Sequence, residues 1–245
     1  MYHFFAEPSN ISDNDIYIEG NDYNHIKNVL RMKVGEIISI GDGISDKEYR
    51  CHIEDFTENA VHCRLDFIKE SGVELPVNVT LYQGLPKSDK MELIIQKCVE
   101  LGVARIVPVE CSRSVVRLDA KKAASKVKRW QGISEAAAKQ SKRAFIPEVA
   151  SPIKFSDALK EASETDIRLI PYELAENFES TREIISKIKE GQSVSIFIGP
   201  EGGFSEDEIT AALEQGFNSI TLGRRILRTE TAALVVLSWL IYLFE

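Results

Sequence analysis

The sequence predicts an α/β protein in which a small β-rich module precedes a larger domain built on a parallel sheet. Three observations carry this expectation. Residues 1–70 hold short runs of alternating apolar and polar residues, the period of half-buried strands. From Val77 onward, strand-length apolar runs alternate with helix-length segments, the pattern that yields parallel strands joined by right-handed crossovers. Between the two, "SGVELP" (71–76) breaks both periods and reads as a linker, so the domains are expected at 1–72 and 73–245. A chain of 245 residues, 44% of them hydrophobic, has ample material for a core.

In the first module, "IYIEG", "EIISIG", "EYRCHIEDF" and "AVHCRLDFI" are expected strands, with one helix, "DYNHIKNVLRM", between the first two. In the second, strand "VNVTLYQGL" leads into helix "SDKMELIIQKCVELG", and "RIVPVE" into a long segment of helical propensity, "KKAASKVKRWQGISEAAAKQSKR". "IRLIPYE" precedes helix "TREIISKIKEG", "SVSIFIG" precedes "SEDEITAALEQG", and "SITLG" precedes the last helix. Its apolar stretch, "AALVVLSWLIYLF", is too short to cross a bilayer and reads as buried. Open parallel sheets bind ligands beyond the carboxyl ends of their strands. The loops at 170–173 ("IPYE"), 199–204 ("GPEGGF") and 222–232 ("LGRRILRTETA") are therefore the candidates.

The second of these loops is the most informative. Ile196, Phe197 and Ile198 form a buried-strand run, and Gly199, Gly202 and Gly203 allow a ligand to approach the main chain. Ser205 and Glu208 have capping-box spacing, so a helix is expected from there to about Gln215, stopped by Gly216. The loop lacks the Gly-Lys-Ser/Thr of a phosphate loop and the G-x-G-x-x-G of a dinucleotide site. Its carboxylate, Glu201, would repel a pyrophosphate and suit a cofactor with cationic groups such as S-adenosylmethionine. A tight turn in an α/β protein is the alternative reading.

Charge is distributed unevenly. Residues 1–112 carry 11 basic and 19 acidic side chains, residues 113–143 carry 10 and 2, and residues 144–245 carry 9 and 17. One concentrated basic segment in an acidic protein is a candidate RNA footprint, and a solvated helix face is the bland alternative. The four histidines (His3, His25, His52, His62) all lie in the first quarter of the chain. No histidine zinc site or Ser-His-Asp triad can then be built in the C-terminal half, and proton handling there falls to carboxylates, arginine or water. Cys51, Cys63, Cys98 and Cys111 form no C-x-x-C pair and read as small buried hydrophobes, with Cys51 and Cys63 facing each other across a hairpin as the alternative. With no secretory signal pattern at the start, a cytoplasmic location is expected.

The paired motifs "GPEGGFSEDEI" and "LGRRILRTETAAL" closely resemble those of the SPOUT-class RNA methyltransferases. Within that class the whole chain resembles the RsmE family, which methylates N3 of a uridine in small-subunit ribosomal RNA. "HIKNVLRMKVGE" is similar to that family's PUA-like RNA-binding module, and "PKSDKMELIIQKCVELGVARIVPVECSRSVV" to the start of its methyltransferase domain. The resemblance implies a deep trefoil knot, S-adenosylmethionine held within it, and a homodimer packed through the knotted region. It implies cofactor contacts at Ile170, Pro171, Gly199, Pro200, Glu201, Gly202, Gly203, Leu222, Gly223, Ile226, Leu227 and Thr231. RNA contacts are implied at Arg31, Lys87, Arg113, Lys126, Lys128, Arg129 and Gln140. Two departures stand out: only His3 occupies a stretch where the family often carries arginine, and Lys139-Gln140 stands where it commonly has Glu-Gln. Removal of the uracil N3 proton calls for a carboxylate and a nearby guanidinium. Arg228 and Glu230 are the leading pair, with Arg143 a candidate supplied across the dimer. Glu230 also suits a purely structural place at a helix start. Ribose 2′-O methylation and RNA binding without catalysis are the rival functions.

Overall fold

The computed structural model describes residues 1–172 and 178–245. Two units are distinguished, Met1–Glu74 with Ala138–Ile146, and Leu75–Ala137 with Pro147–Glu245.

The first unit is a five-stranded sheet of β1 (His3–Phe5), β2 (Asp15–Glu19), β3 (Ile37–Gly41), β4 (Lys47–Phe56) and β5 (Ala60–Glu70), in the order β1-β3-β4-β5-β2. Only the β1–β3 pairing is parallel. Helix α1 (Gly20–Asn24) continues into a wider π turn over His25–Val29, and Arg31 leaves it with φ 53° and an exposed side chain. Alternate strand residues fill the interior, among them Ile16, Ile18, Ile38, Ile40 and Ile53, all fully buried beside Ile26 of the π turn. Cys51 and Cys63 belong to this core; all four cysteines are free and buried. Burial pushes the thiols of Cys51 and Cys63 up to about 12, so they behave as hydrophobes.

Residues Ala138–Ile146 return to this unit, a feature that one cut near residue 72 leaves out. Gly43 donates its N–H to the Ala144 carbonyl (3.1 Å), and Ile146 donates to the Gly43 carbonyl (2.9 Å). A Cβ on Gly41 would stand 2.9 Å from the Ala144 oxygen, so only glycine admits the returning segment there. Lys139 Nζ donates to Asp22 (2.8 Å), and the Arg143 guanidinium grips Glu74 (3.0 Å from Nε).

The second unit holds a seven-stranded parallel sheet. Its elements in chain order are β6 (Asn78–Gly84), α2 (Lys90–Glu100), β7 (Arg105–Glu110), α3 (Ala120–Gln140, whose last three residues group with the first unit), β8 (Glu148–Val149), β9 (Ile153–Lys154), α4 (Phe155–Ala162), β10 (Ile167–Pro171), α5 (Phe178–Ser186), β11 (Ser193–Ile198), α6 (Glu206–Glu214), β12 (Asn218–Ile220) and α7 (Thr229–Phe244). The strand order is β12-β10-β11-β6-β7-β8, with β9 also paired to β7. Chain order therefore reverses at β6, and the exits of β6, β10, β11 and β12 share one end of the sheet. One face of the sheet is an aromatic layer in which Tyr82 stacks on Phe197 (4.4 Å between centroids), joined by Phe155, Phe204 and Phe217. Helices α2 and α7 pack together. Among the described residues no helix is long and apolar enough to cross a membrane.

Candidate active site

At the shared strand ends lies a cavity of about 500 Å³, walled by the loops after β10, β11 and β12. Each loop is shaped by its local sequence. After β11, Gly203 donates to the Pro200 carbonyl (2.9 Å) and takes φ 66°, a tight turn that glycine adopts without strain. Ser205 then caps α6 in a full capping box with Glu208. The other Glu208 oxygen accepts the Ser112 N–H (2.8 Å), tying the loop after β7 to the same helix start. Packing is tight at two glycines of the loop and at Gly84 beside it. A Cβ on Gly199 would lie 3.1 Å from the Gly203 backbone, one on Gly202 would lie 3.1 Å from Arg113 Cβ, and one on Gly84 would lie 2.6 Å from Pro200 N. Arg113 Nη1 donates to the Gly202 carbonyl (3.1 Å), so this cation is built into the loop.

The Glu201 carboxylate, expected to suit a cationic ligand, is compensated within the protein. It accepts the Lys87 N–H (3.1 Å) and pairs with Lys90 Nζ (2.9 Å). Burial acts to raise its pKa, but Lys90 and the backbone donors outweigh that and hold it below the usual carboxylate range. Lys90 in turn is raised, chiefly by its hydrogen bond to Glu201. The same ammonium stands 3.6 Å from Glu230 Oε2, a buried oxygen with no hydrogen-bond donor among the described residues. Lys90 thus bridges the glycine loop and the first turn of α7. Sequence reasoning missed it, because it lies 111 residues from Glu201 and no local motif marks it.

The other expected residues are placed as follows. Pro171, Gly199, Pro200, Glu201, Gly202, Gly203, Leu222, Gly223, Ile226, Leu227 and Arg228 all line the cavity, with Ile226 89% exposed at its edge. Ile170 lies beneath it, fully buried in the aromatic layer. Thr231 is exposed and off the lining, its N–H donated to the Arg228 carbonyl (2.9 Å) in the first turn of α7. The neighbouring Thr229 lines the cavity instead, and its buried hydroxyl donates to the Gly199 carbonyl (2.6 Å). Glu173 lies outside the described residues. Arg143 is 2% exposed and paired with Glu74 inside the first unit, which gives its guanidinium a structural task there. Of the expected RNA contacts, Lys87, Arg113, Lys128, Arg129 and Gln140 are exposed and Lys126 is half-buried. Arg129 also pairs with Glu92 (2.7 Å), while Trp130, which the sequence sets among these cations, is buried.

A β-rich unit together with a parallel sheet that carries a glycine- and arginine-walled cleft at its strand ends defines an RNA methyltransferase, as two family matches establish. Residues 73–241 match the RNA methyltransferase domain family, and residues 18–66 match the RNA methyltransferase PUA domain family. The chain is 38% identical to ribosomal RNA small subunit methyltransferase E of Bacillus subtilis (strain 168), over 93% of this chain and 90% of that one. It is 35% identical to the protein of the same name from Mesomycoplasma hyopneumoniae (strain 232), over 97% and 98%. The crystal structure of a ribosomal RNA small subunit methyltransferase E from Neisseria gonorrhoeae bound to S-adenosyl methionine superposes with a TM-score of 0.86 at 32% identity, covering 100% of this chain and 98% of that one. The chain belongs to the ribosomal RNA small subunit methyltransferase E family.

Proposed function

We propose that this protein transfers the methyl group of S-adenosylmethionine to N3 of a uridine in 16S ribosomal RNA. The observation that carries the reading is the junction of the glycine loop and the arginine loop in one cavity; Glu230 is off its lining, in the first turn of α7 directly after Arg228 and Thr229, which line it. The residues fit the cofactor. Gly199, Gly202 and Gly203 bring main chain to the cavity wall, and Leu222, Ile226 and Leu227 offer an apolar wall beside these backbone polar groups. The bound cofactor supplies an electrophilic methyl group. The protein must then hold the uracil ring and accept or neutralise what N3 loses. Glu230 is the acceptor for the N3 proton in this reading: its Oε2 has no hydrogen-bond donor among the described residues and stands 3.6 Å from Lys90 Nζ. Arg228 is exposed at the cavity wall and has no side-chain partner among the described residues, so its guanidinium is available to the uracil carbonyl oxygens as charge develops.

The exposed cations of α3 would carry the ribosomal RNA electrostatically. A trefoil knot through the loops of the second unit, a homodimer and a cytoplasmic location complete the reading. The dimer reading is supported by α7, mostly apolar beyond its first turn, with Tyr242 90% exposed near its end. The test is nucleoside mass spectrometry of 16S ribosomal RNA from cells lacking the protein, before and after reaction with the purified chain and S-adenosylmethionine. Appearance of 3-methyluridine is expected. A 2′-O-methylated nucleoside, or none, would overturn the assignment.

A further inference from the structure

Gln83 is the second-to-last residue of β6, fully buried, with Ile198 as its register partner on β11. Its amide Nε2 donates to the Gly84 carbonyl (3.0 Å) and to Thr229 Oγ1 (2.8 Å). Thr229, itself 5% exposed, passes its own proton on to the Gly199 carbonyl (2.6 Å). The polarity of this chain is fixed. Gly84 O and Gly199 O can only accept, so the hydroxyl must donate forward and the amide nitrogen must face it. Gln83 Oε1 is left buried with no donor among the described residues. An unpartnered amide oxygen is a cost that an apolar side chain of the same length would not carry.

We infer that Gln83 is a positioning residue for cofactor binding: through Thr229 it fixes the Gly199 carbonyl, and with it the glycine loop against the start of α7. This rests on the reading of the cavity as the S-adenosylmethionine site. Two walls of that cavity meet at Gly199 and Thr229 and are joined there by this buried relay, apart from the Lys90 bridge at Glu201 and Glu230. Its polar residue is retained in apolar surroundings for what it does to the loop rather than for stability, a trade found where a site must be preorganised.

Calorimetric titration of S-adenosylmethionine into the wild-type protein, Gln83→Met, Thr229→Val, Thr229→Ser and the Gln83→Met/Thr229→Val double variant tests this, alongside thermal unfolding of each without cofactor. Gln83→Met and Thr229→Val are each expected to weaken binding roughly tenfold. The double variant should be no weaker than either single one, because both cut the same relay. Thr229→Ser should bind as wild type, and the Tm of Gln83→Met should not fall. Wild-type affinity in Gln83→Met, or additive losses in the double variant, would overturn the inference, as would a lowered Tm with unchanged affinity. Should Gln83→Met fail to fold, Thr229→Val decides: a tenfold loss sustains the relay and an unchanged Kd removes it. A wild-type chain that takes up no cofactor overturns the cavity reading and this inference together, whereas normal wild-type binding with unaffected variants overturns this inference alone.

Discussion

Arg228 precedes α7, where free N–H groups already favour negative charge, and its guanidinium is exposed at the cavity wall. Uracil becomes anionic only as N3 loses its proton, so this residue should act on the transition state more than on binding. Arg228→Lys keeps the charge and loses the planar, multi-donor fork. Turnover in a methyl-transfer assay should drop about 10²-fold, the loss seen on removing one preorganised donor, with cofactor Kd within a few-fold. Equal losses of both would make Arg228 a pocket residue instead. Gly202 makes the opposite prediction. A side chain there meets Arg113 Cβ at 3.1 Å, so Gly202→Val should abolish S-adenosylmethionine binding while sedimentation still shows the wild-type assembly. At this scale the sequence was a good guide to backbone and a poor one to partners. The glycines of 199–203 could be read from their spacing. That Glu201 is held by Lys90, that Arg143 is locked to Glu74, and that Gln83 reaches Thr229 could not, because each pairing joins residues 69 to 146 positions apart.

Among the elements, α3 carries the strongest electrostatic signal, with Lys128 and Arg129 exposed on a helix whose Trp130 turns inward. Replacing Lys126, Lys128 and Arg129 with glutamate should weaken RNA binding and make log K less steep against log salt. The slope should fall by about one for each phosphate that is no longer neutralised, up to about three in all. Cofactor affinity should stay at the wild-type value, and an unchanged slope in filter-binding titrations would return this face to solvent. Loss of the Arg129–Glu92 pair adds little to the outcome, since exposed ion pairs contribute weakly. Element boundaries with their own chemistry were legible. Helix α6 starts after Ser205 and ends at Glu214, and Gly216 takes φ 77° just beyond, as its capping box and glycine foretell. Elements held by distant pairing were not. β1 has three residues and β8 and β9 two each, too short to show a period. Helix α4 passed unread although Phe155, Ala158, Leu159 and Ala162 mark one face at helical spacing, because eight residues directly after a two-residue strand give little signal on their own.

For the whole molecule, strand order and chain return are the features that local pattern could not supply. Alternation announces a parallel sheet but not which strand lies where, and the reversal at β6 that opens the cleft is a consequence of non-local pairing. Oligomeric state belongs to this scale as well. Tyr242 and Leu243 leave the apolar α7 partly uncovered, and a second copy of the chain is the proposed occupant. Sedimentation equilibrium should give twice the 27.5 kDa chain mass, and Tyr242→Glu should shift the population to the single chain. A wild-type protein that runs as one chain at micromolar concentration would remove the homodimer from the proposal.

The return of Ala138–Ile146 to the first unit bears on the order in which the protein is born. A ribosome releases the chain from its N-terminus, so β1 to β5 emerge long before the segment that seats Ala144 against Gly41 and Arg143 against Glu74. Until residue 146 has cleared the exit tunnel, Gly41 lacks its neighbour and Glu74 lacks its counterion. The nascent N-terminal module must wait, incompletely closed, while the next 72 residues, from Leu75 to Ile146, are synthesised. A fragment ending at Glu74 reproduces that interval in a test tube, and it should unfold at lower temperature than the same module in the full chain, with added peptide 138–146 restoring part of the difference.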